Sequence, residues 1–305
     1  MSVAIAYKQL QAEVEGHLKR DESMGRHTTF RIGGPAAIFA ECDTLSDLHA
    51  ATDILEEQQV AWTVLGKGSN VLVSDDGYAG AILVLGRAFR SHTVDENRLH
   101  AGAGALLGRL VHAAFATGLS GLEFAVGIPG TVGGALGMNA GSRDVWIDGI
   151  AESVTVFRPG GGLQRLRGSD ILWGYRKSDL PARGVIVETT LRLSEGDRDR
   201  IRLAMEASLA RRKRSQPLSL PSAGSVFVNP ANDSAGRLIE SVSLKGERIG
   251  GAAFSDVHAN FIVNLGGATA SDVVALMAMA QERVRDAHGV ELTPEIRFLG
   301  SFGEA

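Results

Sequence analysis

A single cysteine, Cys42, stands in 305 residues, so no disulfide can form within the chain, and the composition suits a reducing compartment. Nothing approaches the run of roughly 18 apolar residues that a membrane span requires. The start, MSVAIAYKQLQAEVEGHLKRDESM, breaks its short apolar opening at Lys8 and lacks the basic–apolar–small order of a signal peptide. Excess positive charge is also missing. A formal net charge of −4 gives no global pull toward nucleic acid or anionic lipid. The one basic run, RRKR at 211–214, has no interleaved aromatics and sits where a helix ends, so a helix-end or nucleotide-phosphate role fits it better. With 44% hydrophobic and 22% charged residues, the chain reads as soluble and globular, and its length allows two or three domains.

What is abundant is glycine. The 38 glycines are nearly twice the roughly 7% of ordinary usage. They cluster without a fixed period, which excludes collagen-like and solenoid architectures. Two clusters matter. LGKGSNVLV (65–73) fails the phosphate-loop pattern because Ala61 stands where its first glycine belongs. It fails the GxGxxG dinucleotide pattern as well, since it runs into a strand instead of opening a helix. What remains is a nest of backbone N–H groups at Gly66, Lys67 and Gly68, with Ser69 and Asn70 as further donors, suited to a pyrophosphate or to a plain turn. The second cluster, PGTVGGALGMNAG (129–141), includes Pro129, Gly130, Thr131, Gly133, Gly134, Asn139, Ala140 and Gly141. It is too glycine-rich for a stable helix and too apolar for an ordinary surface loop. Such backbone lies against an extended ligand or packs tightly on another segment. Two such loops suggest one dinucleotide across both, and FAD has a suitable shape.

Periodicity predicts a helix over residues 1–20, a second over 44–59, and others over 105–118, 197–214, near 234–241, and up to Gly289. AESVTVFRPGGGLQRLRG reads as a hairpin, 185–193 as a buried strand, and VELTPEIRFLG as a closing strand. In that last strand Thr293, Glu295 and Arg297 share a face opposite Leu292, Ile296 and Phe298. PSAGSVFVNP (221–230) reads as a turn with an edge strand, in which Ser225 is an unexpected hydroxyl. The expected fold class is α+β, with divisions 1–90, 91–210 and 211–305.

HTTFRIGG, LGKGSN, GIPGTVGGALGMNAG, YRKS, RRKRSQP, PSAGSVFVNP, LKGERIGGAAFSDVHANFIVN and LTPEIRFLG follow one another in this order. Together they resemble the UDP-N-acetylenolpyruvoylglucosamine reductase family, in its shorter form. The resemblance implies two amino-terminal lobes gripping FAD, a fold shared with vanillyl-alcohol-oxidase-type flavoenzymes, and a third domain covering the substrate. It implies reduction of the flavin by NADPH and then of UDP-N-acetylglucosamine enolpyruvate to UDP-N-acetylmuramate, a step of peptidoglycan synthesis. It requires no metal and no obligate protein partner.

The same resemblance assigns catalysis to Arg176, Ser225 and Glu295, and substrate binding to Tyr175, Arg214 and Asn229. Hydride addition to the enolpyruvyl group leaves negative charge spreading into the carboxylate. An arginine fork matches that geometry. A small neutral hydroxyl can deliver the proton without repelling the anionic substrate. Glu295 either orients the arginine or, protonated, donates to the enediolate: arginine would lower its pKa and burial would raise it. Val228 departs from the family, which commonly has lysine there, leaving Lys213, Arg214 and Lys245 as substitute cations. SVSLKGERIG also departs, in a packing position. Two rival readings stand beside this one: a carbohydrate oxidase of the same flavin fold, and a UDP-sugar-binding protein without flavin.

Overall fold

Helices and strands are mixed throughout the computed structural model, which describes residues 2–142 and 145–303. The chain divides into two compact units, each assembled from separated segments. The first comprises Met1–Arg20, Ile38–Lys67 and Gly80–Ala210; the second comprises Asp21–Ala37, Gly68–Ala79 and Arg211–Ala305.

In the first unit a five-stranded antiparallel sheet runs in the order Gly162–Arg167, Ala151–Arg158, Val185–Arg192, Arg98–Gly102, His92–Asp95. The expected hairpin is its first pair, and the expected buried strand lies at its centre. Helix Leu107–Ala116 lays Leu110, Val111 and Ala114 into the core shared with Val154, Val156 and Leu191. These apolar positions recur at helical spacing on one side of the helix and at alternate residues of the strands. A second core gathers Leu10 of helix Ser2–Glu13 with Leu48 and Leu55 of helix Leu45–Glu57, all fully buried. Thr44 and Asp47 close the start of the latter helix with a reciprocal capping box.

The first helix ends at Glu13, short of the expected residue 20, and the chain enters a strand at Leu18–Ser23. Glu41 N–H donates to the His17 carbonyl at 2.8 Å, so sheet pairing takes the segment that periodicity gave to a helix. A second correction falls on the 129–141 loop: Val132–Gly137 is a helical turn despite its three glycines. Thr131 caps it by accepting from Gly134 N–H, and Val132, Ala135 and Leu136 are buried. Tertiary packing overrides the poor propensity of glycine here.

The second unit is built on the strands Ser222–Ser225, Phe261–Asn264, Ala252–Phe254 and Arg248–Ile249, in that order and antiparallel. Helix Ala270–His288 begins with a Thr269–Asp272 capping box. Asp75 reinforces that end by accepting from Ala270 N–H at 2.7 Å and from Ser271 N–H and Oγ at 2.9 and 2.8 Å. The helix stops at Gly289 in the left-handed conformation, as expected. Phe30, Ile32 and Leu72 join Phe227, Leu276 and Ile296 in its core, so part of the amino-terminal sequence belongs with the carboxy-terminal third. The closing strand shortens to Arg297–Leu299, parallel to Val71–Val73. Pro294 lacks a donor and makes only a bridge with Phe227. Phe298 is 42% exposed, against the expected alternation, with its ring edge-on to Phe302.

Candidate active site

The two glycine clusters meet within the first unit. A side chain on Gly66 would strike the Thr131 hydroxyl, so the backbone of one loop lies directly on the cap of the other. Around the buried Thr131, Gly66 and Gly134 are exposed, and a Cβ on Gly134 would meet nothing but that hydroxyl, at 3.5 Å. The amides here are occupied. Val132 N–H donates to the Ala105 carbonyl at 2.9 Å and Gly133 N–H to that of Ala103 at 2.8 Å. Gly133 also packs against Ala103, where a Cβ would sit at 3.0 Å. Tight packing is therefore the first reason for these glycines. Asn139, buried and left-handed at φ 42°, is likewise engaged. Its Nδ2 donates to Asp148 Oδ2 at 3.0 Å and to the Gly174 carbonyl at 3.1 Å, and its Oδ1 accepts from Asp148 N–H.

Those bonds tie the glycine loop to a small hairpin. Trp173–Gly174 pairs with Lys177–Ser178 around the turn formed by Tyr175 and Arg176. Ser178 Oγ donates to the Leu136 carbonyl at 2.9 Å. Arg176 occupies a left-handed position at φ 58°, where glycine or asparagine is usual. Its Nη1 donates to the Gly141 carbonyl at 3.1 Å, and its guanidinium lies over the rings of Trp146 and Tyr175 at 5.2 and 5.6 Å. Tyr175 is 44% exposed.

Gly68, Ser69 and Asn70 belong to the second unit. Gly68 is left-handed at φ 62°, and a side chain there would strike the His27 carbonyl. Thr29 of the HTTFRIGG tract joins this loop to the Ser225 strand: its N–H donates to the Gly68 carbonyl and its hydroxyl to that of Ser222, at 2.7 Å. Asn70 Nδ2 donates to the Glu295 carbonyl at 3.0 Å, and the Asn70 carbonyl accepts from Arg297 N–H. Glu295 N–H donates to the Val226 carbonyl at 2.8 Å. Asn70, Glu295 and the residue after Ser225 are thus brought together from three distant stretches of sequence.

Ser225 ends its strand, and the pairing with Phe261–Asn264 is irregular between Ser222 and Ser225. The irregularity coincides with Gly224 at φ 80°. Ala223, Val226 and Phe227 are buried while Ser225 stays half-buried; the bulge turns one hydroxyl out of an otherwise apolar run. Asn260 clamps the sequel, accepting from Phe227 N–H at 3.0 Å and donating to its carbonyl at 2.8 Å.

The expected substrate residues differ in their engagement. Asn229 Oδ1 accepts from Ala235 N–H at 3.0 Å, at the start of helix Ala235–Ser241. Arg214 and Lys213 are exposed near the end of helix Arg198–Ser215. Lys245 is paired with Glu240 at 3.1 Å. Val228 is half-buried and donates its N–H to Thr293. Burial pushes the Cys42 thiol up to about 12, with Asp47 next in effect, so the lone cysteine is unreactive. Among the described residues no His, Cys, Asp and Glu group could hold a metal, and no helix is long and apolar enough to cross a membrane. Sequence reasoning missed Trp146, Thr29 and Asn260. The last two lie inside quoted motifs, whereas nothing local marks Trp146.

Residues 36–167 match the FAD binding domain family, and residues 216–299 match the UDP-N-acetylenolpyruvoylglucosamine reductase C-terminal domain. A UDP-N-acetylenolpyruvoylglucosamine reductase from Heliobacterium modesticaldum is 44% identical over 297 residues, covering 97% of this chain and 95% of its own. This chain belongs to the UDP-N-acetylenolpyruvoylglucosamine reductase family. A relative of the same name from Anoxybacillus flavithermus is 40% identical over 293 residues, covering 95% and 97%. The solved reductase of Thermus caldophilus shares 38% identity with a TM-score of 0.82, covering 93% of this chain and 99% of its own. Both glycine clusters fall within the FAD-binding match, and Ser225, Asn229 and Glu295 fall within the reductase C-terminal match. Arg176 and Arg214 lie outside both.

The residues present fit FAD. Gly66 and Gly134 form a bulk-free exposed strip over Thr131. The exposed Lys67 adjoins it to meet diphosphate charge, and Val126, Ile128 and Pro129 offer partly exposed apolar surface for a ring system.

Proposed function

We propose that this chain is an FAD-dependent reductase of UDP-N-acetylglucosamine enolpyruvate that uses NADPH and yields UDP-N-acetylmuramate for peptidoglycan synthesis. The observation that carries this is the pairing, along one chain, of an FAD-binding match with a match to the reductase's own C-terminal domain. In this reading residues 1–90 and 91–210 carry the two FAD lobes and 211–305 the substrate domain, which also takes in Asp21–Ala37 and Gly68–Ala79 from the amino-terminal stretch. The enzyme works in the cytoplasm, a location its single buried cysteine suits.

FAD, when bound, supplies the hydride for the terminal carbon of the enolpyruvyl group. The chain's own side chains manage the charge and the proton. Arg176 grips the carboxylate into which negative charge spreads, and its fork stabilises that charge most when the charge is greatest. Support comes from its fixed setting on Gly141 and Trp146. Ser225 holds the proton at Oγ and delivers it to the carbon beside the carboxylate. Hydride and proton together saturate the double bond. Gly224 and the Asn260 clamp hold this hydroxyl at a strand end. Glu295 stands on backbone fixed by Val226 and Asn70. Glu295→Gln separates its two roles: retained turnover marks a protonated donor, and lost turnover marks a charge partner for arginine. Lys67 and the 129–141 loop hold the cofactor, while Tyr175, Arg214 and Asn229 hold the nucleotide sugar.

An anaerobic titration tests the whole reading. NADPH should bleach the flavin, and UDP-N-acetylglucosamine enolpyruvate should restore its colour with one equivalent of product. Steady oxygen consumption on a sugar without NADPH would instead indicate a carbohydrate oxidase. A protein that takes up no FAD would be a binding protein only.

A further inference from the structure

We propose that Trp146 is a positioning residue for Arg176, holding the guanidinium in a single orientation by stacking beneath it. The inference rests on the reading of Arg176 as the carboxylate-binding cation. Gly141–Ser142 and Val145–Trp146 form a two-residue antiparallel ladder in which Trp146 faces Gly141 directly. That one ladder serves Arg176 twice. The Gly141 carbonyl accepts from Nη1 at 3.1 Å, and the Trp146 ring lies 5.2 Å from the guanidinium carbon. Gly141 is required for the second contact, because any Cβ there would run into the indole. Trp146 is itself set by an edge contact with Tyr175, at 5.4 Å and 83°. The guanidinium therefore sits between a carbonyl and two aromatic rings, Trp146 at 5.2 Å and Tyr175 at 5.6 Å, on a backbone already in the left-handed region at φ 58°.

The chemistry explains what such a seat does. A long arginine on a hairpin tip has much rotamer freedom to lose when it must present a planar fork to a carboxylate. An indole face attracts the cation and restricts it without competing for the fork's donors. The carbonyl fixes one nitrogen, and the ring fixes the plane. Trp146 offers no acid, base or hydride-carrying group, and it contacts the Arg176 guanidinium, so its effect passes through Arg176.

The test compares Trp146→Leu, Trp146→Phe, Arg176→Lys and the double variant Trp146→Leu/Arg176→Lys in the flavin-loaded protein. Flavin reduction by NADPH and reoxidation by the enolpyruvyl nucleotide are followed separately. Trp146→Leu should slow reoxidation roughly five- to thirty-fold and leave reduction nearly unchanged. Trp146→Phe should recover most of the loss, and the leucine change should add little once Arg176 is lysine. In the wild type, the Arg176 Nε–H proton, assigned by its disappearance in Arg176→Lys, should resonate upfield of the other arginines under the indole ring current.

Unchanged reoxidation in Trp146→Leu, or losses that multiply in the double variant, would overturn the proposal. If the leucine variant fails to fold, an unshifted Nε–H in the wild type would overturn it alone. Full turnover in Arg176→Lys would instead sink the reading of Arg176 itself, while a shifted Nε–H would leave the stacking contact standing.

Discussion

At the tip of hairpin 173–178 the arginine itself carries the left-handed backbone, at φ 58°. At the end of strand Ser222–Ser225 the left-handed step falls to Gly224, at φ 80°, and the serine follows it. A non-glycine residue in that region costs of order 1–3 kcal/mol, whereas glycine adopts it readily. The arginine must therefore be held by its own side-chain contacts, to the Gly141 carbonyl and the two aromatic rings. The serine needs no such contacts, because its aim is set by a neighbour and by the Asn260 clamp. A side chain whose own backbone carries strain is sensitive to its partners; one whose neighbour adopts the special conformation is sensitive to that neighbour.

The largest expected effects come from the two groups themselves. Ser225→Ala should lower product formation about 10²–10⁴-fold, the usual worth of a positioned proton donor, while flavin reduction by NADPH persists in stopped-flow traces. Wild-type turnover would remove the acid role. Arg176→Gly sharpens the contrast: it relieves the backbone, so Tm should hold or rise while turnover is lost. A large drop in Tm would show that the side-chain contacts outweigh the strain.

Next in size are the neighbours. Gly224→Ala has open space for its methyl, so only the backbone resists, by about 1–3 kcal/mol. Gly141→Ala instead drives a methyl into both the Trp146 ring and the Val145 carbonyl oxygen and should cost about 1–3 kcal/mol by overpacking. It should also slow reoxidation, the outcome expected of Trp146→Leu. Denaturant titration of both variants checks the magnitudes.

Asp75→Ala removes the acceptor for three donors at the start of helix Ala270–His288. The expected loss is about 0.5–2 kcal/mol, seen as a lower Tm with the chemistry of Arg176 untouched.

The smallest effect is one of pH. Burial pushes the His258 pKa below its usual 6.5, helped by the positive charge of Lys245, and its Nδ1 accepts from Asn260 N–H. As pH falls through 6.5, the unfolded chain takes up a proton that the folded chain does not. Stability is therefore full above pH 6.5 and declines below it until the folded pKa is reached. Unfolding curves at pH 7.5 and 5.5 should differ less for His258→Gln than for the wild type. An equal difference would clear His258 of this role.

Candidate site positions could be named because the family's motifs are short, ordered and chemically specific, and the proposed reactive residues Arg176, Ser225 and Glu295 each sit inside one. The helices over 45–57 and 270–288 were legible from spacing and caps. Others were not. The helical turn at Val132–Gly137 runs against its glycines and exists because its apolar residues are buried from outside the segment. The membership of Phe30 and Leu72 in the carboxy-terminal core has no local signature, since neither residue's neighbours in sequence carry that information.

Composition and spacing determined the class of fold, because it depends on residue types and short-range periodicity, while the ordered motifs, through their resemblance to the reductase family, implied the flavin chemistry and the candidate reactive groups. Only the tertiary structure decided that Trp146 underlies Arg176, that Asn70 ties down Glu295, and that Thr29 anchors the strand of Ser225. The last two contacts join residues 225 and 193 positions apart. Trp146 meets Arg176 across a separate hairpin, and packing of that kind is set by the whole core rather than by any local stretch of chain.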